Sequence, residues 1–348
     1  MSKTFIEWMA TETPTRWCVD RGNVVDVKKA IAQGFEFGAG NPLLTLKSIK
    51  MEWDRMEKEV EDTRHLKGKE RSYELYRRYM LPVFEAWMPV FEKYESGNRG
   101  RQCVMVNPNA GHDYEEMVEA GLMMSKWAPN VSIKIPVTQA GLVATEELAA
   151  RGVHVTGTVG YSVTQGVQFA EAHARGVRRA KAAGIKPHGA NFALFTLRLN
   201  QWVEEHAKGA GYSYIDYDVA KWAGIAVAKR INNVYDDFGY IDDNDLWFVP
   251  AAIETPHSLL QFVGGRVHCD LYWPVVERLN EHFKDAPREY HYDDPIDPDA
   301  LDRLMGSSLF RQMYEYDGIP TEDLLTFGPI PHIAALFGTM GFDMIANL

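Results

Sequence analysis

Eight short apolar runs, each bounded by turn residues and most followed by a stretch of helical periodicity, recur along the chain. Such alternation specifies parallel βα units, because a strand can return to the same side of a parallel sheet only through a crossover connection. The runs cover residues 16–19, 35–39, 102–106, 131–135, 154–159, 190–195, 246–251 and 266–269. Eight of them suit a sheet closed into a barrel. Several carry polar residues that packing does not require: Asp20 after the first run, Asn41 after the second, Asn107 after the third and Lys134 within the fourth. In a parallel barrel the carboxyl ends of the strands open on one face, so these groups are expected to converge there.

Helical periodicity is strongest over 113–127, 141–151, 165–183 and 217–235, where crossover helices should lie. The charge-rich segment 47–94 reads as two or three helices inserted between the second and third runs. Its mixed charges suit a solvated face, and its Met and Trp residues are expected to pack it on the barrel. The whole chain, 1–348, is therefore expected to form one barrel domain with a helical insertion at about 45–96 and further helices at the C-terminus. The acidic stretch HYDDPIDPDALD lacks the EF-hand ligand spacing and reads as a loop entering a helix, with Asp297 or Asp299 near its start.

Lys and Arg total 37 against 48 Asp and Glu, a formal charge of −11, which argues against a nucleic-acid partner. No run approaches the ~20 apolar residues of a membrane span, and the first residues lack the layout of a signal peptide, so a soluble cytoplasmic protein with no membrane partner is expected. A homo-oligomer is compatible with the sequence. Cys18, Cys103 and Cys269 are read as reduced thiols. His112, His154, His257 and His268 form no metal-ligand spacing, no phosphate-binding glycine motif follows a strand, and neither a metal nor a nucleotide cofactor is implied. His154, His268 and Asp270 flank strands and remain candidates for lining the site, although satisfied structural polar groups are the favoured reading.

The most informative residue is Lys134, with Ile133 and Ile135 on either side. An ammonium is costly to bury without a partner. An interior lysine can lose its proton and, as a neutral amine, attack a carbonyl to form a Schiff base. A lysine paired to a carboxylate inside the barrel, or one facing solvent from an alternating strand, satisfies the same pattern.

The stretch around it, IKIPVTQAGLVATEELAARGVHVTGT, resembles the lysine-strand signature of the transaldolase family, and the resemblance runs in order from about residue 17 to 281. It implies a single (α/β)8 TIM barrel and a Schiff base between Lys134 and a ketose, without a cofactor. In WCVDRGNVVDVKKAIAQGFEFGAGNP, Asp20 matches the family's general acid/base aspartate and Asn41 the asparagine of its Thr/Ser-Asn-Pro motif, with Gly40 in place of the hydroxyl residue. VMVNPNAGHD is similar to the third strand and its loop, which places Asn107 among the substrate-binding candidates. Thr158 stands where a threonine holds the catalytic water, Phe195 where transaldolases have phenylalanine and fructose 6-phosphate aldolases tyrosine, and Arg198 at a phosphate-binding arginine. For Asp20, capping of the helix that begins GNVVDVKKAI is the competing role.

Two departures bear on the substrate. Met105 stands where transaldolases carry a third-strand glutamate that polarises the catalytic water with the threonine, and Glu254 where a second phosphate-binding cation is expected. An anion beside a phosphate is unfavourable in a site of low effective dielectric. The sequence thus points to a transaldolase-like Schiff-base enzyme acting on a non-standard sugar or sugar-like substrate. A conventional pentose-phosphate transaldolase and a catalytically silent, transaldolase-like binding protein are the alternatives.

Overall fold

A computed structural model describes residues 3–20, 23–94 and 97–348. Its strands are β1 (Arg16–Asp20), β2 (Phe37–Ala39), β3 (Arg101–Met105), β4 (Val131–Pro136), β5 (Val155–Gly160), β6 (Ala190–Phe195), β7 (Leu246–Ala251) and β8 (His268–Leu271). All pairs are parallel, neighbours follow chain order, and β8 closes on β1, which makes an (α/β)8 TIM barrel. Every residue of β3, β4, β5 and β6 is buried, because helices cover the outer face and side chains fill the interior.

Seven runs lie within two residues of the expected bounds at each end. The eighth, expected at 266–269, is shifted by two. Its register with β1 sets Arg16 against His268, while Arg266 leaves the sheet to pair with Asp236 and Asp242 on the surface. That shift brings Asp270 inside β8 instead of beyond its end. The helix expected over 217–235 divides into Tyr217–Ala220 and Ala223–Asp237.

The insertion forms three helices, Pro42–Met51, Trp53–Asp62 and Gly68–Lys93. Met56, Met80 and Trp87 pack inward as expected, whereas Met51 is exposed. Trp87 Nε1 donates to Gln102 Oε1 at 3.1 Å, and a Cβ at Gly38 would lie 1.9 Å from that same oxygen, so only glycine lets the insertion close on β2 and β3. Beyond β8, Asp297 caps the helix Pro298–Met305 by accepting from Ala300 N at 2.9 Å. The helix Ile330–Phe337 ends with the Phe337 ring 6.0 Å from Phe195, at the carboxyl end of β6. Among the described residues no helix is long and apolar enough to cross a membrane.

Candidate active site

The interior face of β4 is identified by Ser132, whose hydroxyl lies 2.7 Å from Thr156 Oγ1 and 2.8 Å from His154 Nδ1. Lys134, two residues on, shares that face and is only 4% exposed. Its Nζ donates to the Gly40 carbonyl at 3.2 Å, just past β2. Among the described residues it makes no ion pair, so the ammonium is neither a solvated surface group nor half of a buried salt bridge. Met105 sits beside it in the β3–β4 register, fully buried.

Asp20 closes β1 opposite Ala39 of β2, at the same carboxyl end. The helix behind it, Val24–Ala32, has Asn23 at its N-cap, whose Oδ1 accepts from Asp26 N at 2.8 Å. Asn41 accepts from Leu44 N at 3.0 Å and thereby caps Pro42–Met51; its carbonyl is committed, and its amide nitrogen is the part left to meet a substrate. Asn107 is likewise used locally: its Oδ1 accepts from Asn109 N at 3.1 Å, while its backbone N–H donates to the Tyr73 hydroxyl at 3.0 Å.

Thr158 Oγ1 is buried and has no hydrogen-bond partner among the described residues. Its aim is set by Val159, which adopts φ = 59°, a left-handed conformation that costs a β-branched residue about 1–3 kcal/mol. The register with β6 is irregular between Gly157 and Gly160. Gln165 holds this turn. Its amide donates to Val137 O at 2.9 Å and Val159 O at 3.0 Å, and its carbonyl accepts from Tyr161 N at 2.8 Å.

Phe195 ends β6 with its ring 5.7 Å from Tyr161, whose hydroxyl is buried without a partner. Arg198 lies exposed in the first turn of the helix Thr196–Gly209. Glu254 follows β7 and is half-buried. Burial raises the pKa of its carboxyl, Arg278 and Arg198 draw it down, and Asp20 pushes it up. Glu254, Arg198 and Asp20 therefore share one mouth, yet no direct ion pair joins Glu254 to Arg198 among the described residues. Ala252, two residues before Glu254, also takes a left-handed φ of 59°.

The floor beneath Lys134 is a hydrogen-bonded string. His154 Nε2 meets Asn98 Oδ1 at 2.9 Å, Asn191 donates to the same oxygen at 3.0 Å, and His268 Nδ1 lies 3.3 Å from Asn191 Oδ1. His154 is thus a satisfied structural group, as expected. Asp270 is not. Two residues beyond His268 it shares the interior face, it is 4% exposed, and its Oδ1 is buried with no partner among the described residues. The expectation failed because the β8 register was displaced by two residues; the alternation His-Cys-Asp was the available signal. His268 Nε2 is also unpartnered, at the opposite end of the strand. All three cysteines are free and buried. Among the described residues no three His, Cys, Asp or Glu side chains are grouped so as to hold a metal ion.

The model of the transaldolase/fructose-6-phosphate aldolase family matches residues 17–285. Transaldolase 1 of Streptomyces avermitilis is 32% identical over 183 residues, covering 51% of this chain and 47% of that protein. Probable transaldolase 2 of Listeria monocytogenes is 42% identical over 64 residues, 18% of this chain and 29% of that protein. The transaldolase of Thiobacillus denitrificans is 28% identical over 154 residues, 42% of each chain. These alignments span about half or less of the relatives' lengths. With a match that runs from β1 past β8 on a closed parallel barrel, the chain belongs to the transaldolase/fructose-6-phosphate aldolase family.

Proposed function

We propose that this protein is a cofactor-independent, lysine-dependent aldol enzyme that cleaves or transfers a dihydroxyacetone-type unit of a sugar or sugar-like substrate departing from the usual phosphosugars. The observation that carries this reading is Lys134, buried inside the barrel against a backbone carbonyl and in no ion pair with a carboxylate among the described residues. Its amine adds to the ketose carbonyl, the carbinolamine loses water, and the iminium draws electrons as the adjacent carbon bond breaks. That cleavage removes a proton from the neighbouring hydroxyl, a task suited to Asp20 at the mouth. Thr158, with its hydroxyl unclaimed by protein, suits a water or substrate hydroxyl, and the Asn41 amide a further hydroxyl. Asn107 and Phe195 line the approach.

Glu254 supports the unusual substrate, since a half-buried anion at the mouth opposes a phosphate held near Arg198 and favours a neutral, hydroxylated or cationic end. The conventional transaldolase reading is favoured by Arg198 itself, by Phe195 and by the names of the relatives. Borohydride trapping with a panel of phosphorylated and unphosphorylated ketoses, read by intact mass and peptide mapping, tests the chemistry. A reduced adduct is expected on the peptide containing Lys134, and Lys134→Met should abolish it. An adduct mapped elsewhere, or none with any ketose, would overturn the Schiff-base reading.

A further inference from the structure

Asp270 is a buried carboxyl of the barrel interior that neither the family resemblance nor the mechanism above uses. It lies in β8 between Ala251 of β7 and Cys18 of β1, and alternation along β1 puts Cys18 and Asp20 on one face. Register-paired residues on adjacent strands lie about 5 Å apart, so Asp270 stands one step below the mouth that Asp20 borders. Asp20, Lys134 and Glu254 all act electrostatically on its carboxyl, which sets the four groups around one volume. Like Thr158 Oγ1 across the same mouth, its Oδ1 is buried without a hydrogen-bond partner among the described residues, which leaves a position open to a substrate group or water. On the other side of Lys134 is Met105, which can neither give nor take a proton.

We propose that Asp270 is a second acid–base group of the lysine site, giving its proton to the departing hydroxyl of the carbinolamine and taking one back when water attacks the iminium. The inference rests on the Schiff-base reading above. In the forward step the carbon–oxygen bond breaks, the nitrogen lone pair forms the carbon–nitrogen double bond, and the hydroxyl leaves as water with the Asp270 proton. The products are the iminium and the Asp270 carboxylate, so charge and atoms balance. Hydrolysis runs the same step backward. Burial pushes the Asp270 carboxyl well above the usual carboxylate range, Asp20 and Glu254 add to the effect and Lys134 opposes it, a direction that favours the protonated form this role needs. The other titratable groups facing it are Cys18 on β1, Cys103 on β3, Lys134 on β4 and Glu254 beyond β7.

The test is the rate of Lys134 adduct formation with dihydroxyacetone and with fructose 6-phosphate under borohydride, followed across pH in the intact protein and in Asp270→Asn and Asp270→Ser. Asparagine removes a charge that burial disfavours, so the first variant is expected to stay folded at neutral pH, which near-ultraviolet circular dichroism checks. Trapping should slow by ~10²-fold in both variants, the worth of proton transfer by a placed side chain, and the alkaline fall in the natural protein's rate should vanish. If the natural protein traps but both variants trap at a similar rate, or are slowed with the pH profile unchanged, the role assigned to Asp270 is wrong. If the natural protein traps neither ketose nor any other of the panel, it is the underlying Schiff-base reading that fails.

Discussion

Replacing Gln165 by methionine should destabilise the fold out of proportion to the change in volume. The side chain is fully buried, and its amide pairs with the backbone of Val137, Val159 and Tyr161, residues themselves 0–1% exposed. Methionine has nearly the same length but can pair with none of them. A buried polar group left without a partner costs about 1–3 kcal/mol, so losing two backbone acceptors' partner and one donor's costs on the order of 3–6 kcal/mol after some relaxation. That is a large share of the 5–15 kcal/mol typical of a native protein. The substitution also frees the strained Val159, so Thr158 should lose its aim. Urea unfolding followed by circular dichroism, with slope and midpoint fitted together, measures the effect. A loss below about 1 kcal/mol at unchanged slope would show that the turn does not depend on Gln165 and refute the reasoning.

The charge at the mouth and the histidines of the interior give two further expectations. Glu254→Arg should raise the ratio of catalytic efficiency on fructose 6-phosphate to that on unphosphorylated fructose by about 1–3 kcal/mol, toward the low end because the side chain is only half-buried; an unmoved ratio would show that Glu254 does not set the substrate. Burial holds His154 and His268 well below the usual histidine range and pushes His173 and His188 down to about 4. The unfolded chain binds these protons first, so the stability they contribute is present above a pH of about 6.5 and is lost progressively as pH falls toward 4. Urea midpoints at about pH 7.5 and about pH 5 should differ accordingly, and equal midpoints would mean that the histidines are not buried neutral.

Periodicities of two and 3.6 residues are local, so the eight strands, the crossover helices and the carboxyl-end clustering of polar residues were legible in the chain itself. Lys134 stood out for the same reason, as a charge inside an apolar strand, and so did Asp297 as a helix cap. Pairing across strands is not local. Closing β8 on β1 decided that Asp270 lies inside the barrel and Arg266 outside it; the alternation His-Cys-Asp pointed to a shared face, but only strand pairing fixed where the strand begins and ends. The same holds for Gln165, an ordinary helix residue by sequence, which reaches two strand ends and holds Val159 in a left-handed conformation. Asn41 and Asn107 look alike as polar residues after strands, and only the folded loops commit their carbonyls to nearby backbone. Residue types and spacing thus determined which groups arrive at the mouth; which of them keep an unpaired atom facing it was decided by tertiary packing, because hydrogen bonds are distributed only once strands from opposite ends of the chain have met.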